Sequence, residues 1–490
     1  MGIARNLALG ALSVVVIGAG VVAVRTATYK PPGLADTSGV KLAAVRAVDT
    51  AKAARNLSQA IRFNTVTHQD PAEDQPGEWD KLHAFLQTAY PAAHAVMTRE
   101  IVGKQSLIYT WAGSDPSLAP IILMAHQDVV PVTPGTEGNW KHPPFSGEIA
   151  DGAVWGRGAV DDKGTLITLF EALDSLAAQG FKPKRSIILV SGEDEEVRGT
   201  GARAAAAALK ARGVKALFVL DEGLAVITDN PVSHKPVALV GVAEKGYATL
   251  QITAPAPGGH SSTPPKDTGV TTLSRAVLAV AGKPFPMKFS GPGADMLRTL
   301  APGAPTPVKM AVANEWLFGP LLISQFSASP AGAAMLHTTI APTMLKGSPK
   351  ENVLPQDATA WINYRISPDD SSASVMARAQ AAVGKLPVKL SWLKPPEEPS
   401  PVSSTSSEGW KLIAAVAGAE ANAPVAPSLV LGGTDSRYLS GVAGDVYRFA
   451  PTWMSLTDSE MIHGTNEHMT LENLTRMVRF YERLVETACG

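Results

Sequence analysis

The chain carries one cysteine, Cys489, in 490 residues. A lone cysteine excludes an intramolecular disulfide and a cysteine-based zinc site, and it leaves the redox compartment unread. Charge is sparse and balanced, with 43 Lys and Arg against 44 Asp and Glu. With no basic stripe either, the electrostatic footprint of a nucleic-acid-binding protein is missing. No internal repeat is present. Long apolar runs are scarce, and the one at Leu7–Val24 stands out because Arg5 precedes it and Arg25 closes it. As a helix it would measure roughly 27 Å, about the thickness of a bilayer core. The run exceeds the usual signal-peptide core, and its best small-residue cleavage site, Val21-x-Ala23, is weak, so it reads as an anchor in preference to a cleaved signal. Arg5 keeps the N-terminus on the cytoplasmic side. Residues 31–490 are then exported: membrane-anchored, or periplasmic or extracellular if the segment is cleaved.

A chain this long exceeds one ordinary core, so two domains are expected. From about residue 50, apolar runs at 106–113, 120–126, 185–192 and 216–223 read as strands, and 164–180 and 202–213 read as helices closed by Gly. That alternation predicts an α/β sheet with helices on both faces, with chemistry at the carboxyl ends of its strands. Near residue 247 a second α/β unit begins, with strands expected at 247–254, 309–313, 336–345 and 357–366 and helices at 269–282 and 371–384. A Pro- and Ser-rich linker, "KPPEEPSPVSSTSS", follows it. The organisation expected is an N-terminal anchor or signal segment with linker (1–45), a catalytic domain in two pieces (46–246 and 395–490), and a smaller inserted lid domain (247–394).

The strand ends carry the chemistry. The run Ser186–Val190 is followed by Glu193, Asp194, Glu195 and Glu196, a block of like charge that would ordinarily mark a solvated loop. Upstream, His126 and Asp128 stand two apart on a strand and share a face, so the carboxylate can hold the imidazole. Asp161 and Asp162 precede a helix, where an ordinary N-cap is the alternative. Asp221 or Glu222 ends the next strand, and His463 follows late in the chain. Each has a bland explanation, but their common position at strand ends does not. Together they form a nitrogen and oxygen donor set with room for two divalent ions and open positions for water and substrate. Such donors suit zinc, with manganese and cobalt as alternatives.

The motifs "MAHQDVVP" (124–131), "GRGAVDDKG" (156–164), "GEDEEVRG" (192–199), "LDEG" (220–223), "PGGHSSTP" (257–264), "ENVLP" (351–355), "GGTDSR" (432–437) and "HGTNEH" (463–468) resemble the di-zinc metallopeptidase family of aminoacylases, glutamate carboxypeptidases and carboxypeptidase S. They are most similar to the carboxypeptidase S branch with its N-fatty-acyl-amino-acid synthase/hydrolases. The resemblance spans about residues 60–485. It implies two zinc ions bridged by Asp161, with His126 and Asp221 completing one and Glu196 and His463 the other. Asp221 is preferred to Glu222. It further implies Glu195 as general base, Asp128 orienting His126, and a cis peptide bond before Asp162. His260 would stabilise the oxyanion from the lid of a partner subunit. Asn352 and Arg365, with Arg437, would hold a substrate carboxylate. Residues 300–322 resemble that branch's lid insertion, and the apolar stretch 314–326 reads either as core or dimer contact, or as a wall for a fatty acyl chain. The expected activity is cleavage, and near equilibrium formation, of the amide of a long-chain N-acyl amino acid. A carboxypeptidase or dipeptidase is the alternative. A catalytically silent binding module is disfavoured because every proposed ligand and Glu195 is present.

Overall fold

The Ile- and Leu-rich runs become the centre of an eight-stranded sheet in a computed structural model that describes residues 2–197 and 199–490. Arg198, and in the first helix the side chains of residues 2–5, 7–12, 14 and 15, lie outside the described residues. In spatial order the strands are Thr98–Val102, Ser106–Trp111, Ile187–Gly192, Ile121–His126, Phe218–Ile227, Val446–Met454, Val237–Glu244 and Val425–Val430. The central strands are parallel, Ile121 to His126 pairing with Ile187 to Gly192, and Ile121 to Leu123 with Phe218 to Leu220. Parallel strands are covered on both faces, which explains why 121–126 and 187–192 are apolar nearly throughout and wholly buried. Helices Thr50–Ile61, Lys163–Ala178, Glu408–Ala421 and Leu471–Cys489 pack one face through residues such as Leu57, Phe170, Ile413 and Leu484. Thr200–Ala211 packs the other, setting Ala205 and Leu209 against Ile122 and Val190.

A second sheet is antiparallel and four-stranded, in the order Thr339–Lys346, Asp357–Ile366, Gly246–Pro255, Lys389–Trp392. It has its own core, where helices Gly269–Ala281 and Ser372–Val383 lay Leu273, Ala276 and Val375 on Leu250, Ile252 and Ile362. The strand expected at 309–313 is not formed. Those residues belong to helix Thr306–Ala313, which has a proline in its first turn. Only Val312 among them is β-branched, and Lys, Met and Ala favour the helix.

Residues 291–326, which precede strand Thr339–Lys346, do not stay with that sheet. Helix Gly291–Leu300 places Met296, Leu297 and Leu300 on Val237, Leu239 and Ala426, at the far edge of the large sheet. Behind it, the end of helix Thr306–Ala313 and Asn314, which leads into helix Glu315–Phe326, meet the last turns of the N-terminal helix Gly2–Ala27. The expected anchor lies on that first helix, and most side chains of its N-terminal half fall outside the described ones. Among the described residues no helix is long and apolar enough to cross a membrane.

Candidate metal centre

Parallel strands deliver their last residues to one edge of the sheet, and here that edge is acidic. His126 is the final residue of its strand and is buried. Its Nδ1 lies 3.0 Å from the Asp128 carbonyl oxygen and 3.4 Å from Asp128 Oδ1, while Nε2 lies 2.9 Å from Asp161 Oδ1. The other oxygen of Asp161 sits 3.1 Å from His463 Nε2, so one carboxylate spans two imidazoles. His463 Nε2 is also 3.0 Å from Glu196 Oε2. The peptide between Asp161 and Asp162 is cis.

Asp128 acts beyond His126. Its two oxygens accept the backbone N–H groups of Glu195 and Glu196 at 3.1 and 3.2 Å, and Oδ2 also accepts the Thr67 hydroxyl at 2.7 Å. A fully buried carboxylate thus fixes both the imidazole and the acidic turn. The four acids of that turn divide their labour. Glu193 accepts the Lys104 and Gln105 N–H groups at 3.1 and 2.8 Å, and Asp194 accepts the Gly201 N–H at 3.0 Å at the start of a helix. Glu195 and Glu196 remain for the cluster.

The two neighbouring acids of "LDEG" part company. Asp221 accepts the N–H groups of Ser436 and Glu222 at 2.9 and 3.0 Å, so both its oxygens are held by backbone. Glu222 instead stands in the field of Asp161, Asp162, Asp221 and Glu195; burial first, then those charges, push its carboxyl well above the usual range. Adjacent residues on a strand face opposite ways. Both acids nonetheless border the cluster, the charge of Asp221 bearing on Asp162 and Asp435 and those of Asp161 and Glu195 on Glu222.

The substrate-binding candidates are scattered. Arg437 is committed, with Nε on Glu244 at 3.0 Å, Nη1 on Glu397 at 2.7 Å and Nη2 on the Lys245 carbonyl at 3.1 Å. Three of its five N–H groups are thus engaged within the chain. Arg365 stacks on Tyr247 with its guanidinium carbon 4.8 Å from the ring centroid, and it makes no hydrogen bond or ion pair among the described residues. His260 and Asn352 sit together on the small exposed ribbon Gly259–His260 with Val353–Leu354, where His260 Nδ1 meets Ser262 Oγ at 2.7 Å and Asn352 lends its carbonyl to Ser261. Among the described residues no hydrogen bond or ion pair joins them to the cluster. Trp316, in the apolar stretch 314–326, is 62% exposed.

Sequence reasoning passed over two residues. Glu467 is fully buried. It accepts Arg157 Nη1 at 2.7 Å and the Gly158 N–H at 3.0 Å on one oxygen, and the Val160 and Asp161 N–H groups at 2.9 and 3.0 Å on the other. Arg157 in turn donates to the carbonyls of His463 and Gly464 at 3.2 and 2.9 Å. This clamp ties the Asp161 loop to the His463 loop, and its signal was its place inside two of the quoted motifs. Asp435 is also buried, lies against Gly192, where a Cβ would come within 2.0 Å of its Oδ2, and keeps that oxygen without a hydrogen bond.

The donor set fits metal. His126, Asp161 and Glu196 bring ligand atoms within 4.8 Å of one another, and Glu196 Oε1 is buried with no hydrogen-bond partner. Burial and mutual repulsion raise the carboxyls of Glu195, Glu196, Glu222 and Asp435 together. Buried like charges at this density need cations. A nitrogen and oxygen site of this kind, with a further buried carboxylate beside it, belongs to a metal-dependent hydrolase.

The comparisons give the family. Residues 122–487 match the model of peptidase family M20/M25/M40. The chain is 36% identical to the N-fatty-acyl-amino acid synthase/hydrolase PM20D1 of Homo sapiens over 88% of this chain and 87% of that one. It is 32% identical to the probable carboxypeptidase S-like 2 of Dictyostelium discoideum, over 99% and 93%. Among solved structures it resembles the M20 family metallo-carboxypeptidase Sso-CP2 from Sulfolobus solfataricus (TM-score 0.66, 16% identity, 89% of this chain and 98% of that one). Human carnosine dipeptidase 1 is similar too, with TM-score 0.59, 13% identity and coverage of 89% and 96%. The chain belongs to peptidase family M20/M25/M40, a metal-dependent family of enzymes acting on amide or peptide bonds, typically with zinc.

Proposed function

We propose that the enzyme cleaves, and near equilibrium forms, the amide bond of N-acyl amino acids with long acyl chains, using two zinc ions bridged by Asp161. The observation that carries the metal reading is Asp161 between the imidazoles of His126 and His463. His126 with Asp221 or its neighbour Glu222 would hold one ion, and Glu196 with His463 would hold the other. The ions, when bound, supply Lewis-acid polarisation of the scissile carbonyl. Glu195, anchored through its backbone N–H on Asp128, takes a proton from the attacking water and returns it to the leaving nitrogen. Asp128 keeps the His126 ring oriented.

Arg365, unpaired and stacked on Tyr247, is the group suited to the free α-carboxylate of the amino acid. His260 reaches the oxyanion from a second copy of the chain. Support for that copy is the edge strand Thr339–Lys346, whose residues 341–346 are exposed, Met344 and Leu345 among them. An uncovered edge of this kind pairs readily with another strand. The N-terminal segment holds the enzyme to a membrane with residues 31–490 outside the cytoplasm, on the strength of the Leu7–Val24 run and the preceding Arg5.

The substrate class is supported by the N-fatty-acyl-amino acid synthase/hydrolase activity for which the relatives at 34–36% identity are named. The test is a panel of N-acetyl, N-octanoyl and N-oleoyl phenylalanine with a few dipeptides. Each buried methylene contributes about 0.8 kcal/mol, so kcat/KM should climb by orders of magnitude with chain length. Equal rates on the acetyl compound or a dipeptide would replace this reading with a carboxypeptidase.

A further inference from the structure

Between Glu315 and Lys346 the sequence has no Asp, Glu, Lys or Arg. The helix that opens this stretch, Glu315–Phe326, is apolar all round, yet of its residues only Leu322 is fully buried. Trp316, Leu317 and Leu321 are 62%, 49% and 50% exposed. Leu317 and Leu321 are one turn apart and share a face. A helix apolar on every side belongs in a core or in lipid; Leu322, Phe318 and Phe326 pack inward, and Trp316, Leu317 and Leu321 are left uncovered.

What lies beside it decides between partners. Asn314, fully buried at the start of this helix, donates from Nδ2 to Thr26 Oγ1 at 3.2 Å. Arg25 Nε donates to the Ala313 carbonyl at 3.2 Å, and Tyr29 Oη to that of Arg298 at 3.0 Å. These bonds bolt the last turn of the N-terminal helix onto the insertion. Before that turn the helix exposes Val16, Ile17, Val21 and Val24. Two uncovered apolar surfaces therefore adjoin at one corner of the molecule, far larger together than a scattered surface residue requires. Between them is a groove of about 580 Å³ lined by Arg25, Tyr29, Lys30 and Trp316, with Arg298 and Glu315 paired to each other in its wall. Arg25 and Lys30 form no ion pair among the described residues, a cationic rim suited to anionic headgroups. A tryptophan beside such a rim matches the amphipathic belt of a membrane interface.

We propose that helix Glu315–Phe326 is a second membrane contact, lying in the lipid interface beside the point where the N-terminal helix enters the bilayer. The inference rests on the reading of the N-terminal segment as membrane-bound. It gives the body a fixed orientation, with the far edge of the large sheet toward the lipid and the strand Thr98–Val102 at the opposite edge away from it. A lipid-borne acyl substrate would then be met at the surface where it partitions.

The test uses the full chain in phosphatidylcholine vesicles with a minor share of phosphatidylglycerol. Single cysteines are placed by Leu317→Cys, Val21→Cys or Ile101→Cys and labelled with an environment-sensitive fluorophore; native Cys489 is buried. Ile101, 53% exposed on the opposite edge, is the control. Nitroxide-labelled lipid should quench the labels at 317 and 21 by about half, the depth expected of interfacial residues, and leave 101 unaffected. Quenching at 21 alone overturns the second contact and leaves the anchor standing. Quenching at 317 alone keeps the contact and removes the anchor, and quenching at neither removes both. A label at 317 that is shielded but not quenched by lipid would assign the face to a protein partner such as a second copy, which also overturns the proposal. Leu317→Glu with Leu321→Glu should lower hydrolysis of vesicle-borne N-oleoyl phenylalanine ~10-fold or more while soluble N-octanoyl substrate stays within ~2-fold. Equal loss on both substrates, or no loss on either, would overturn the contact as the route to lipid-borne substrate.

Discussion

Glu195 and His463 sit within one cluster, and their substitution should separate two functions. Glu195→Gln removes a base and no metal donor, so metal content should stay near wild type while kcat falls at least ~100-fold. His463→Ala should deplete the metal instead, and elemental analysis of the purified variants distinguishes the outcomes. Equal metal loss in Glu195→Gln would show the base and a ligand exchanged. The charge of His463 offers an independent check. Between Asp161 and Glu196 its imidazole is raised from 6.5 to about 10 in the metal-free chain. It is therefore protonated at neutral pH, and a metal must displace that proton. Zinc added to chelator-stripped protein at pH 7.5 should release protons, with apparent affinity rising as pH climbs toward 10. Calorimetry in buffers of different ionisation enthalpy measures the release; no proton release would contradict the assignment of His463. The same raised value means that the contribution of His463 to stability in the metal-free chain is fully present below about pH 6.5 and is lost as pH rises through about 10.

At the scale of elements, the strands place the donors and the loops after them hold the donors still. The clamp of Glu467 on Arg157 joins two loops whose sequence positions differ by some three hundred residues, and both side chains are buried. Removing one partner leaves an uncompensated buried charge, so Glu467→Ala should cost about 3–5 kcal/mol of stability. Arg157→Met with Glu467→Met should recover part of that loss, which denaturant titration of the single and double variants reads directly. An additive result would mean the pair does not act as a unit. The central strands were legible because continuous Ile, Leu and Val runs have one use in an α/β sheet, and His126 and the 193–196 acids could be placed at their ends. The choice between Asp221 and Glu222 was not legible. It depends on how the strand end meets the cluster, where Asp221 is held by a backbone donor from Ser436, far along the chain. Helix Thr306–Ala313 misled for a related reason. Its neighbours are the N-terminal helix and the insertion, contacts that local periodicity does not carry.

For the whole molecule, two sheets with separate cores divide the work. The large sheet carries every buried donor of the cluster, and the small one carries Arg365, His260 and Asn352. Nothing in the sequence indicated that residues 291–326 would leave the small sheet for the edge of the large one, because their apolar partners Val237, Leu239 and Ala426 are remote in the chain. The overall division into two α/β units was readable from the Pro- and Ser-rich boundary and the change of motif near residue 247. The account stands or falls on metal-dependent chemistry at the Asp161 bridge. The direct test is to strip the full-length enzyme with a chelator, titrate zinc back, and follow hydrolysis of N-oleoyl phenylalanine together with bound metal. Activity should vanish on stripping and return in step with binding, reaching its plateau at two zinc ions per chain. A chain that keeps its rate without metal, or binds zinc only at sites untouched by Asp161→Asn, would contradict it.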